Sequence, residues 1–276
     1  MRSHWRRRWR QRVIRLRPHR SGRHTHLHAE HFKQWRREAY PGENLKTPPQ
    51  MELWLFLVDL VHNMWNRVGV PQELGWIVLV LISKGTTNTQ GIGLLETLWK
   101  VVEVLINTRL RVSLQLHDVL HGFRAGRGVG TAIMELKLAP ELASIDQDPL
   151  FLVLLYLRKA YDTVDWERLL VTLEGYGTFP SLCGLLNTFW GRQQVVPRQN
   201  GFYRPYFPAT RGTKQGSPVS LTLFNVVVDN FIITWLAMIV EDQRVAHDWL
   251  GETDGACLGV FYANDGMVGS QDADRL

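Results

Sequence analysis

The residues with the clearest chemical content lie near the C-terminal end, in Phe261-Tyr262-Ala263-Asn264-Asp265-Gly266. An amide and a carboxylate of almost the same shape stand side by side. Asp265 is a hard, charged oxygen ligand for a divalent cation such as magnesium, whereas Asn264 offers one neutral oxygen. Phosphoryl transfer at a pair of magnesium ions needs several such carboxylates, because together they hold both ions. Taken alone, Leu258 to Ala263 and Met267 to Val268 flank Asn264-Asp265-Gly266 as a hairpin with a tight Asp-Gly turn. His24, His26, His28 and His31 could also bind a metal, but with no cysteine nearby this is a weak site.

The elements that would position Asp265 read as follows. Leu53, Leu57, Leu60, Val61 and Met64 recur at helical spacing. Trp76 to Ile82 is a short apolar strand, and Leu94 to Leu110 is helical, entered through Gly91-Ile92-Gly93. Phe151 to Leu157 is uninterrupted and apolar, which predicts a central strand covered on both faces. A helix follows with Asp162 as N-cap, Asp165 in its first turn, and Gly175 and Gly177 at its end. Ser217 as N-cap with Pro218 at the first position opens another, lined by Leu221, Phe224, Val228, Phe231 and Trp235.

Charge is unevenly placed. Met1 to Tyr40 holds 13 of the 32 Lys+Arg and 2 of the 26 acids, leaving 19 basic and 24 acidic residues in the body. The segment 1–40 reads as a basic, disordered tail, either a nucleic-acid arm or an organelle-targeting peptide, or simply a solvated run. No apolar run reads as long enough to cross a bilayer, and no membrane partner is expected. Cys183 and Cys257 form neither a disulfide framework nor a zinc spacing, which favours an intracellular, reducing compartment.

Several motifs occur in a fixed order: Ser83-Lys84-Gly85, Gly91-Ile92-Gly93, His121-Gly122-Phe123-Arg124-Ala125-Gly126-Arg127-Gly128, Leu157-Arg158-Lys159-Ala160-Tyr161-Asp162, Arg211-Gly212-Thr213-Lys214-Gln215-Gly216-Ser217-Pro218, and the hairpin. The series resembles the fingers and palm of a reverse transcriptase, over about Trp35 to Leu276, nearer non-LTR retroelement and group II intron enzymes than retroviral ones. The resemblance implies an α+β right-hand polymerase fold, with fingers over 41–145 and an antiparallel palm sheet with packed helices over 146–276. The chain ends ten residues after Gly266, so no thumb is expected.

In that family three aspartates hold magnesium. Carried over, their positions are Tyr156, Asn264 and Asp265, and only Asp265 keeps a carboxylate. Lys84 resembles the fingers lysine that meets the triphosphate, and Gln90 stands where an arginine is common. Lys159 and Ala160 resemble positions whose backbone approaches the triphosphate, and Tyr161 an aromatic gate against a ribose 2′-hydroxyl. Gln215 and Gly216 resemble the loop against nucleotide and template. The resemblance implies RNA or RNA/DNA duplex and deoxynucleoside triphosphates as partners and Mg2+ as cofactor, weakly bound or absent here. The expectation is a degenerate, truncated domain that does not catalyse RNA-directed DNA synthesis. Alternatives are an active polymerase completed by another chain or mis-recorded at 156 and 264, a non-catalytic RNA-binding module, and an element relic.

Overall fold

The computed structural model describes residues 48–67, 69–84, 88–147, 149–241 and 258–270 of the 276-residue chain. The basic tail, the four-histidine run and Cys257 lie outside the described residues. The chain forms two compact units, each built from two segments: 1–114 with 165–220, and 115–164 with 221–276. The two units are interleaved along the chain.

The first unit centres on a mixed sheet. Strand β1 (Trp76–Lys84) pairs antiparallel with β2 (Asn88–Leu95) and parallel with β4 (Gln194–Gln199). The short strands β5 (Phe202–Tyr203) and β6 (Phe207–Pro208) both pair with β4. Successive residues of β1 point to opposite faces. Ile77 and Val78 are both buried, so the sheet is covered on both sides there, whereas Leu81 and Ile82 at the far end are exposed. The helices are α1 (Pro48–Arg67), α2 (Thr97–Ser113), α5 (Trp166–Gly175) and α6 (Pro180–Gly191). Leu98, Val101, Val102, Leu105 and Ile106 form the buried stripe of α2, and Trp99 stacks on Phe189 of α6 at 3.7 Å between ring centroids. Cys183 is buried in α6, and burial first, then the Glu174 charge, push its thiol up to about 11.

The second unit holds the antiparallel sheet β3 (Phe151–Tyr156), β8 (Asp265–Ser270) and β7 (Leu258–Tyr262), in that order. Helix α3 (Val129–Asp146) packs Ala132 and Ala139 onto Val260 and Met267 of the hairpin. The short α4 (Ala160–Thr163) follows β3, and α7 (Ser220–Glu241) lies mostly in this unit.

Local expectations fail where a backbone group outcompetes a side-chain signal. Residues 88–95 are a strand, not the entry to a helix, because their ladder with β1 runs without a break from Lys84↔Asn88 to Ile77↔Leu95. Asp165, not Asp162, caps the helix, its Oδ1 accepting from Arg168 N at 2.9 Å. Helix α7 starts at Ser220 rather than Ser217. Ser217 N donates to Lys214 O, closing a turn, and Ser220 Oγ donates to the same carbonyl. Strand β3 is an edge strand, not a central one, and Leu154 is 80% exposed. The run's apolarity is therefore not matched by cover among the described residues. Over Ser220–Met238, α7 is apolar and long enough to cross a membrane by length and composition, contrary to the reading of apolar runs. Its buried Asn225 and Asp229 bond to the chain, as in a core helix.

Candidate functional site

The hairpin turn is Ala263-Asn264, not Asp-Gly. Tyr262 pairs with Asp265, and Ala263 takes a left-handed φ of 56°. Asp265 and Gly266 already belong to β8. Gly266 is required by packing: a Cβ there would come within 2.7 Å of the Phe261 ring. On its other side β8 pairs with β3, with Tyr156 opposite Asp265. Residues directly opposite in antiparallel strands share a face. Tyr156, Asp265 and Tyr262 thus form one row across three strands. Leu157 N donates to Asn264 O at 2.8 Å, which ties the turn to the end of β3. The register therefore brings together the three positions singled out from the sequence. Tyr156 is 69% exposed and Asp265 is exposed.

Behind the hairpin, a set of residues that sequence reasoning left without a role fixes its trace. Phe261 N donates to Val119 O at 2.8 Å, and His121 N donates to Phe261 O at 2.7 Å. Gly122 passes so close that a Cβ would sit 2.6 Å from Ala263 N. Asn225 Nδ2 donates to Gly122 O at 2.7 Å, and His117 N donates to Asp229 Oδ1 at 2.6 Å. The buried His121 ring contacts Thr131 Oγ1 and Glu135 Oε2, each at 2.9 Å. The available signal is Asn225 and Asp229, two strongly polar residues one turn apart on a largely apolar helix.

Tyr161 packs its half-buried ring on Phe224, with centroids 4.5 Å apart. Burial first, then neighbouring Tyr262, raise its phenol above the ordinary range. Lys159 precedes it in a left-handed conformation, and Ala160 is buried. The Lys159 carbonyl accepts from Asp162 N at 2.9 Å, so this backbone is committed to the α4 turn.

The remaining candidates lie in the first unit. Lys84 ends β1, and Gln90 stands opposite Ile82 in β2. Three residues beyond Gln90, Gly93 N donates to Gln215 O at 3.0 Å. Gly216 has φ 106°, and a Cβ on it would lie 2.7 Å from Gly93 O. Glycine is therefore obligatory at 216. Beneath this loop Glu103 is buried, with Oε1 accepting from Trp99 Nε1 at 2.9 Å. Its Oε2 makes no hydrogen bond among the described residues. Burial pushes the carboxyl up to about 7, against the smaller pull of Ser217, Trp99 and Lys100.

Residues 82–276 match the family model described as reverse transcriptase (RNA-dependent DNA polymerase). The chain belongs to the reverse transcriptase family. It is 26% identical, over 168 residues, to the transposon TX1 uncharacterized 149 kDa protein of Xenopus laevis, covering 57% of this chain and 13% of that protein. Its structure is similar to apo telomerase from Candida tropicalis truncated from its C-terminal domain, with TM-score 0.52 and 12% identity over 81% of this chain and 50% of that one. A second apo telomerase structure from the same organism gives TM-score 0.50 at 12% identity, over 81% and 44%. The chain thus spans an eighth of the transposon protein's length and half or less of those telomerase chains. The likeness to the solved structures shows the fold, α+β and fingers-and-palm-like.

Reverse transcriptases generally use Mg2+. The residues here do not fit a pair of such ions. The row at the hairpin offers one carboxylate between two phenols. Among the described residues no group of three or more His, Cys, Asp or Glu could hold a metal ion.

Proposed function

We propose that this reverse transcriptase family member keeps the fold and its nucleic-acid partner class without catalysing RNA-directed DNA synthesis. One observation carries the reading: the register sets Tyr156, not a carboxylate, directly opposite Asp265. Asn264 in the adjoining turn removes a second charge. If magnesium ions supply several kcal/mol of transition-state stabilisation, losing ~5 kcal/mol slows the reaction by roughly 10³–10⁴-fold. On this reading 41–145 serve as fingers and 146–276 as palm. Lys84, Gln90, Lys159, Ala160, Tyr161, Gln215 and Gly216 remain the positions that would meet a deoxynucleoside triphosphate and template, with neutral Gln90 holding phosphate weakly.

Primer extension on an RNA template with Mg2+ tests this. The purified chain should give no product, and product abolished by Asp265→Ala would overturn the proposal. Tyr156→Asp combined with Asn264→Asp should create measurable Mg2+ binding in calorimetry. No gain in that variant would mean that the three positions were assigned to the wrong site.

A further inference from the structure

The ribbon β5–β6, residues 202–208, lies on the outer side of β4 and takes no part in the positions above. It is unusually aromatic and unusually exposed: Phe202 74%, Tyr203 55%, Tyr206 60% and Phe207 47%. Tyrosine and phenylalanine rings bring large apolar area, and four of them left to solvent in six residues call for a partner. The register splits them between two faces. Tyr203 stands opposite Arg198, while Phe202 stands opposite Gln199 and Phe207 opposite Val195. The Arg198 guanidinium lies over the Tyr203 ring at 5.8 Å, and Tyr206 meets Trp76 edge-on at 5.2 Å.

Charge selects the partner. From Gly175 to Val228 the sequence contains Arg192, Arg198, Arg204, Arg211 and Lys214 and no acid. Among the described residues, none of the four arginines pairs with a carboxylate. A protein strand added to this edge would find the apolar rings but leave the guanidinium groups without counter-charge. A single-stranded nucleic acid satisfies both: its bases stack on aromatic faces and its phosphates neutralise arginine. A duplex, whose bases are already stacked on each other, does not.

We infer that the β5–β6 ribbon is a stacking platform for single-stranded nucleic acid, with Tyr203 and Tyr206 receiving bases and Arg198 and Arg204 receiving phosphates. The inference rests on the proposed function only in taking a nucleic acid as the partner. It needs neither metal nor polymerisation.

Two measurements on the full 276-residue chain test it. The first is photocrosslinking to uracil-rich RNA and DNA oligonucleotides carrying 5-iodouracil, with crosslinked peptides located by mass spectrometry. Adducts on Tyr203 or Tyr206 are expected, and the relative yield from the two oligonucleotides says which sugar is preferred. The second is fluorescence anisotropy with the same oligonucleotides. Tyr203→Ala with Tyr206→Ala should bind roughly 30-fold more weakly, while Tyr203→Phe with Tyr206→Phe should stay within about 2-fold. Arg198→Ala with Arg204→Ala should flatten the salt dependence by roughly one to two phosphate contacts. Both tyrosines are exposed, and an unchanged thermal melting curve shows that the variants fold. Crosslinks confined to other segments, or alanine variants that bind as the unsubstituted chain does, overturn the platform and leave the proposed function standing. Magnesium-dependent extension would instead overturn the proposed function and leave the platform standing.

Discussion

The two sides of the hairpin 258–270 are built by different means. On the inner side Phe261 is bonded through both its N–H and its C=O, Gly122 touches the Ala263 backbone, and Asn225 holds Gly122. Nothing larger than glycine fits at 122 without moving a main chain. On the outer side Tyr156 and Asp265 project where most of the space is solvent. Their identity hardly matters to the fold. The difference teaches how exposed side chains can change while the shape stays: main-chain groups set the trace, and these side chains are supernumerary to it.

Substitutions on each side should break or sharpen this contrast. The largest effect belongs to the inner side. Gly122→Val would force a side chain into the Ala263 main chain and should cost roughly 3 kcal/mol or more in urea unfolding. A cost under about 1 kcal/mol would show that the inner side is not rigid.

Next comes the price of a carboxyl kept inside rather than outside. Glu103 has a folded pKa raised from 4.5 to about 7 by burial. The folded state therefore binds the proton more tightly than the unfolded one. That contribution is full below about pH 4.5 and gone above about pH 7, so stability falls as pH rises through this window. Glu103→Gln should leave stability at pH 4.5 nearly unchanged and raise it at pH 8 relative to the unsubstituted chain, by up to roughly 3 kcal/mol. Equal effects at both values, read from denaturation curves, would remove Glu103 as the titrating group.

Asn225→Ala leaves the Gly122 carbonyl without its donor and should cost about 2 kcal/mol. The smallest change is expected on the outer side. Tyr156→Asp with Asn264→Asp should alter stability by less than about 0.5 kcal/mol without metal. Millimolar Mg2+ should then raise the melting temperature of that variant and not of the unsubstituted chain. A large metal-free loss would mean that Tyr156 supports the fold after all.

The family is legible in the sequence. The order of short motifs points to the family whose model residues 82–276 match. Strand β1 and strand β3 show where legibility ends. Both are unbroken apolar runs, yet Ile77 and Val78 are buried while Leu154 is 80% exposed. Composition states that a segment could be covered; neighbours in the sheet decide whether it is. Register was equally invisible, since the pairing Tyr156↔Asp265 depends on how β3 slides along β8. The start of α7 is not legible either, because the Lys214 carbonyl, a main-chain group with no sequence signature, captures Ser217 N and Ser220 Oγ. The supporting role of His121, Gly122 and Asn225 is hidden for the same reason: they act through contacts with chain far away in sequence.

The open rim of β3 bears on how the protein behaves in the test tube. Its side away from β8 has no strand partner among the described residues, and Phe151, Leu152 and Leu154 all stand exposed beside that rim. A long apolar edge of this kind accepts a strand from a neighbouring molecule readily. Recovery on refolding should therefore drop as protein concentration rises, and Leu154→Lys should restore it.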